Sequence, residues 1–165
     1  MFSMISGSAL NEIKIFGIVL AVFLVIDVPM VFFINNKIYA DQFLKINGSS
    51  YSGVKVLLYA ILCYLTLAFG IYYFAVKQNS YLNSIILGFV IYGVYNFTNL
   101  AVLKKYEIKT AAVDIAWGTT LFFLVTAISL PIIKMFVHED VIQAVGKAVS
   151  EVAETTTATA TDVTV

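Results

Sequence analysis

Four long apolar blocks separated by short polar stretches organise this chain. They cover about Ile13–Ile34, Val54–Val76, Ser84–Leu103 and Ala111–Ile133. Within each block the apolar residues run on, rather than recurring at period two or at three to four as on a half-buried strand or helix. A helix of about 20 such residues crosses roughly 30 Å of hydrocarbon. Backbone groups in hydrocarbon must be satisfied within their own segment, which a helix achieves. The pattern therefore predicts an all-α polytopic membrane protein, an up-down bundle of four transmembrane helices over residues 1–134. The connections 35–53, 77–83 and 104–110 are polar, and the first contains the turn-rich Asn47-Gly48-Ser49-Ser50. Short connections make sequential helices antiparallel.

Beyond residue 134 the pattern changes. Val141, Ile142, Val145, Ala148, Val149 and Val152 fall on one face of a helix. Such a face can lie on a membrane or pair with a partner. The Thr/Ala-rich end, 155–165, has little to bury and is expected to be structureless. The first block is expected to stay as a helix rather than be cleaved as a signal peptide. Its apolar stretch is long, Asp27 and Pro29 interrupt it, and no small-x-small site follows.

Composition agrees with the pattern. The chain is 61% hydrophobic and 12% charged, too sparse in charge to cover a water-facing surface. Formal net charge is zero and Arg is absent, so neither a basic field nor bidentate base readout points to nucleic acid. A chain that uses Lys alone suggests an AT-rich genome, a microbe or a large DNA virus. Cys63 is the only cysteine and can form no intrachain disulfide.

Asp27 is the residue that asks for an explanation. An acid near a helix centre costs about 2.5–3.5 kcal/mol on insertion scales. As a neutral acid it can donate a hydrogen bond to an Asn or Tyr; as an anion it can hold a cation or a proton in transit. The plainer alternative is a clamp between the first and third helices. Pro29 removes an amide donor and frees the Val25 carbonyl.

Antiparallel topology brings further polar groups to Asp27. With both termini on one side, the connections 35–53 and 104–110 share the other, here the connector side. Asp27, Asn96, Asn99 and Asp114 then all lie in the connector-side leaflet. Asn96 and Asn99 share a helix face, Tyr92 and Tyr95 lie a turn away, and Tyr59 enters from the same side. Asn96, Thr98 and Asn99 can act as interhelical glue or line a pocket. Asp114 sits in the first turns of the fourth helix, where the dipole favours an anion, and Trp117 lies at a depth that suits a headgroup anchor. Lys37, Lys45, Lys55, Lys104, Lys105 and Lys109 bias the connector side, and so loops 35–53 and 104–110, towards the cytoplasm. Asn47-Gly48-Ser49 is a glycosylation sequon that would be used only with the opposite orientation, and Asn96-Phe97-Thr98 fits the same pattern but should be buried.

His138-Glu139-Asp140 do not share a helix face, so no metal is expected there. No phosphate loop, nucleophile elbow or paired ligand spacing is present. The chain is therefore expected to be no enzyme and to need no cofactor.

The run Tyr92-Gly93-Val94-Tyr95-Asn96-Phe97-Thr98-Asn99-Leu100-Ala101 resembles the third-helix motif of a bacterial family of predicted membrane proteins, catalogued as domain of unknown function 2177. Val113-Asp114-Ile115-Ala116-Trp117-Gly118 resembles its fourth-helix motif. Asp27, the Tyr39 region and Leu57-Leu58-Tyr59 match more loosely, over about Ile13–Ile133 in all. The resemblance implies four membrane helices and supplies no activity. Family members usually carry Asp where this chain has Asn96, so one titratable group is lost here. The resemblance adds weight to Asp27, Asn96, Thr98, Asn99, Asp114 and Trp117 as a site.

Together these readings give an expectation of a small-solute, ion or lipid-headgroup site, serving transport through an oligomer, with lipids and an unknown small ligand as partners. The alternative is a membrane scaffold or viral envelope component in which the polar groups only hold helices together. A lipid-modifying enzyme using Asp27 and Asp114 as an acid–base pair is a third, weaker reading.

Overall fold

A computed structural model describes residues 9–31, 36–48 and 54–162. Its helices are α1 (Ala9–Pro29), α2 (Asn36–Asn47), α3 (Val54–Ile71), α4 (Tyr81–Val102) and α5 (Ile108–Asp162), with a π-helical turn, Tyr72–Val76, closing α3. No strand occurs among the described residues. Four helical stretches are long and apolar enough to cross a membrane: Ala9–Pro29, Val54–Val76, Tyr81–Val102 and Ile108–Phe136. The protein is an all-α polytopic membrane protein.

Each boundary has a local cause. α-Helical geometry in α1 ends at Pro29, which has no N–H to return to the Val25 carbonyl, and Met30 and Val31 continue it in π-helical geometry; the expected end at Ile34 lies outside the described residues. α4 starts three residues earlier than the apolar pattern indicates, since the Ser80 side chain accepts from the Asn83 N–H at 3.2 Å. The preceding turn is tight. Asn79 adopts φ 49°, a left-handed conformation that Asn tolerates, and Asn83 Nδ2 donates to the Phe74 carbonyl at 3.1 Å.

The first connection departs from expectation. Residues 36–47 form a helix, α2, where the sequence reads as a loop. Gly48 ends it at φ 72°, its N–H returning to the Leu44 carbonyl at 2.9 Å.

The chain divides into two compact units, Met1–Leu130 and Pro131–Val165. The second is helical to Asp162, so residues 155–162, expected to be structureless, continue the helix. Its threonines are poor helix formers, but extending an existing helix avoids the nucleation penalty. The side chains of His138, Glu139 and Asp140 lie outside the described residues.

Within the first unit, α1 presents Ile15, Val19, Phe23 and Asp27 to the interior at four-residue spacing. Phe23 stands edge-on to Tyr64 and Phe122, at 5.4 and 6.3 Å between centroids. α4 and α5 approach closely at two glycines. A Cβ on Gly88 would lie 3.0 Å from the Thr119 Cα, and one on Gly118 would lie 2.2 Å from the Tyr92 ring. Away from this crossing, Glu12 pairs with Lys77 at 3.1 Å, tying the start of α1 to the end of the π turn.

Candidate functional site

The polar groups resolve into two clusters rather than one. The first is built on Asp27, 7% exposed. Tyr64 donates its hydroxyl proton to Oδ2 at 2.7 Å, and the Trp117 indole N–H donates to Oδ1 at 2.9 Å. Indole nitrogen only donates, so Oδ1 has to accept. One carboxylate thereby joins the first, second and fourth spans. This differs from the expected clamp to the third span, because the stripe that carries Asp27 faces α3 and α5. The Trp117 indole N–H is directed to this carboxylate.

The second cluster is built on Asn96, fully buried. Its Nδ2 donates to Asp114 Oδ2 at 2.6 Å and to the Tyr92 carbonyl at 2.9 Å, and its Oδ1 accepts from the Tyr106 hydroxyl at 2.7 Å. The amide is suited to this position. It donates to one carboxylate and accepts from one phenol at once, whereas an Asp here would need a proton to face Asp114 without repulsion.

A third set of bonds closes the connector end. Gln42, on α2, donates from Nε2 to the Lys105 carbonyl at 2.7 Å. Its Oε1 accepts from the Glu107 N–H at 3.1 Å and from the Thr110 hydroxyl at 3.2 Å. Gln42 thus satisfies an orphan donor at the start of α5. Nearby, Lys45 and Glu107 form an exposed ion pair. The hydrogen bond to Glu107, and then its charge, raise the Lys45 ammonium pKa.

Between α3 and α4 lies a cavity of about 250 Å³. Cys63 and Leu67 line it from α3, and Ile91, Tyr92 and Tyr95 from α4. Asp114 reaches it from α5, and Gln42 and Tyr106 border its connector end. Cys63 and Tyr95 are both exposed, Tyr95 by 52%, so the cavity's mouth is lateral, between the two helices. Asp27 does not line it.

The residues singled out from sequence therefore separate. Asn96, Asp114 and Tyr92 belong to the cavity and its support, and Asp27 and Trp117 to the clamp. Asn99 is half-buried at the end of α4, where its carbonyl accepts from the Leu103 N–H at 2.9 Å. Thr98 is exposed, and Tyr59 is 67% exposed on the outer face of α3. Tyr64, Tyr106 and Gln42 take part where sequence reasoning did not place them. Among the described residues no cluster of three or more His, Cys, Asp or Glu could hold a metal ion.

Tyr106 makes the second cluster sensitive to alkali. Its phenol is pushed up to about 12, first by burial and then by the charge of Asp114. An unfolded Tyr titrates near about 10. The native state thus keeps a proton that the unfolded chain gives up. The stabilisation is complete below about pH 10 and is lost as pH rises through about 12. The unfolding midpoint in detergent should fall over that window, and fall less in Tyr106→Phe. Equal slopes in the two proteins would remove Tyr106 as the cause.

The model of a family described as Predicted membrane protein (DUF2177) matches residues 12–131. That range takes in α1 from its second turn, α2 to α4, and the part of α5 that carries Asp114 and Trp117. No curated protein and no solved structure matches the chain.

Proposed function

We propose that this chain, which belongs to the DUF2177 family of predicted membrane proteins, binds a small solute, ion or lipid headgroup in the cavity between α3 and α4 and carries it across or along the membrane. The carrying observation is the cavity itself, which has a carboxylate, Asp114, in its wall. Pockets that are mostly apolar with a few convergent polar groups are the usual form of a small-molecule site. An ionisable group inside a membrane span is costly and is commonly retained for binding or conduction. Asp114 replaces Asp27 as the ligand-facing acid in this reading, since only Asp114 lines the cavity. Asn96 and Tyr106 hold the polar wall in place. Four helices barely enclose a pathway, so transport would be served by a homo-oligomer. The lysine-rich connector end would face the cytoplasm.

Asp114→Asn tests the reading while sparing the structure, because an amide oxygen can still accept from Asn96. Native mass spectrometry of the wild type in detergent should show a retained small molecule or lipid that is absent from Asp114→Asn. Alkylation of Cys63, the single thiol, should displace the same species by filling the cavity. A species retained equally by all three proteins would sink the assignment to this cavity.

One observation favours a structural reading beside it. Both oxygens of Asp27 are engaged by donors from other spans, which is what a scaffold needs and a ligand site does not. The two readings divide the acids between them: Asp27 holds the bundle and Asp114 serves the cavity.

A further inference from the structure

From the chemistry of the cavity wall we infer that its ligand is an organic ammonium ion, free or as the head of a lipophilic amine. This rests on the cavity being a binding site and names what it binds. Three tyrosines, Tyr92, Tyr95 and Tyr106, border the cavity together with one carboxylate, Asp114. None of the described lining residues is Lys or His, and the chain has no Arg. Among the described lining residues the only formal charge is therefore negative. A cation is the ligand whose burial such a wall offsets, and an anion is the ligand it rejects.

The aromatic rings select among cations. A ring face attracts an alkylated ammonium ion within about 6 Å of its centroid, and cages of several rings beside an acid are the recurrent solution for quaternary ammonium groups. A hard metal ion needs six or more oxygen ligands, or keeps its own water. This wall has one carboxylate and apolar neighbours, Leu67 and Ile91, so it suits an ion that carries its own methyl groups. The mouth adds a second constraint. Cys63 and Tyr95 flank it and both are exposed on helices that cross the membrane. A ligand can therefore enter sideways from the bilayer with its hydrocarbon outside and its head within.

The test uses charge-only pairs on the full chain in detergent micelles. Choline is compared with 3,3-dimethylbutanol, its neutral isostere, and dodecyltrimethylammonium below its micellar concentration with 2,2-dimethyltetradecane, in which carbon replaces the nitrogen. Binding is read by calorimetry and by competition with alkylation of Cys63. At least one cation should bind roughly tenfold or more tighter than its isostere. Binding of both cations means a free or lipid source will do, and binding of dodecyltrimethylammonium alone assigns the source to the membrane. Asp114→Asn should weaken the cation by roughly 10–100-fold. Tyr95→Leu should weaken it about tenfold, and Tyr95→Phe by less, because Phe keeps the ring face. Tyr95 stands at the mouth, so these variants keep the test open should Asp114→Asn fail to fold. Equal binding of a cation and its isostere, with Cys63 shielded from alkylation in both cases, would overturn the ammonium assignment and leave the cavity as a site. No cavity-dependent binding of any probe, with no retained species in native mass spectrometry, would overturn both.

Discussion

Gly118→Ala is expected to unfold the α4–α5 crossing, with a loss of about 3 kcal/mol, the upper end of the overpacking range. The added Cβ would sit 2.2 Å from two ring atoms of Tyr92, Cγ and one Cδ, and 2.4 Å from the other Cδ. These atoms are at the base of the ring, so rotating its far end gives no relief. Moving the ring whole is also blocked, since Tyr92 packs edge-on against Phe122 at 5.9 Å. The helices would have to separate instead. Separation breaks the bond from Asn96 to Asp114, which lies one turn away on the same pair of helices. Thermal unfolding in detergent should show the loss, and Tyr92→Ala in the same chain should restore much of it by vacating the space. If Gly118→Ala alone melts with the wild type, the close approach at this position is not needed by the fold.

Asp27→Leu and Asp27→Asn should differ widely. Leucine removes the acceptor that two donors, Tyr64 and Trp117, share. An orphaned buried donor costs about 1–3 kcal/mol. Bonds between membrane helices average lower, about 0.6 kcal/mol, because the separated helices find other partners. The two figures together give a loss of about 2 kcal/mol. Insertion of the first helix into the membrane should improve at the same time, since an apolar residue replaces a carboxylate. Asparagine is another matter. Its oxygen can take the indole N–H while its amide donates to the Tyr64 hydroxyl oxygen, which can accept. A loss below about 1 kcal/mol is expected. Unfolding midpoints for the two variants, with and without Tyr64→Phe, give the coupling directly. Equal damage from Leu and Asn would mean that charge, and not acceptor geometry, holds the three spans.

The apolar blocks carried most of the fold. The second span, Val54–Val76, ends where the block ends, because its turn follows at once. The depth of the polar groups was also legible, because antiparallel helices place Asp27, Asn96 and Asp114 in one leaflet by counting alone. Rotation about the helix axis was not. Tyr59 and Tyr64 are five residues apart, about 140° around a helix of 3.6 residues per turn. Depth favours Tyr59, but the interior face of α3 is the one with Ala68 and Ile71, and it carries Tyr64. In an apolar block both faces look alike, so the sequence holds little to separate them. Gln42 was hidden for the opposite reason. The segment around it is polar enough to read as a loop, and its role needs partners 63–68 residues away.

The clamp on Asp27 has a biosynthetic consequence. Tyr64 follows Asp27 by 37 residues and Trp117 follows it by 90. At synthesis rates of about 5–20 residues per second, the second donor arrives roughly 5–20 s after the acid. Asn96 and Asp114 are only 18 residues apart and meet within a few seconds. During translation the carboxylate of the first span therefore waits half-satisfied until the last span leaves the ribosome. A nascent chain stalled before Trp117 would display that unfinished acid to the membrane's quality-control proteases, whereas a completed chain would hide it.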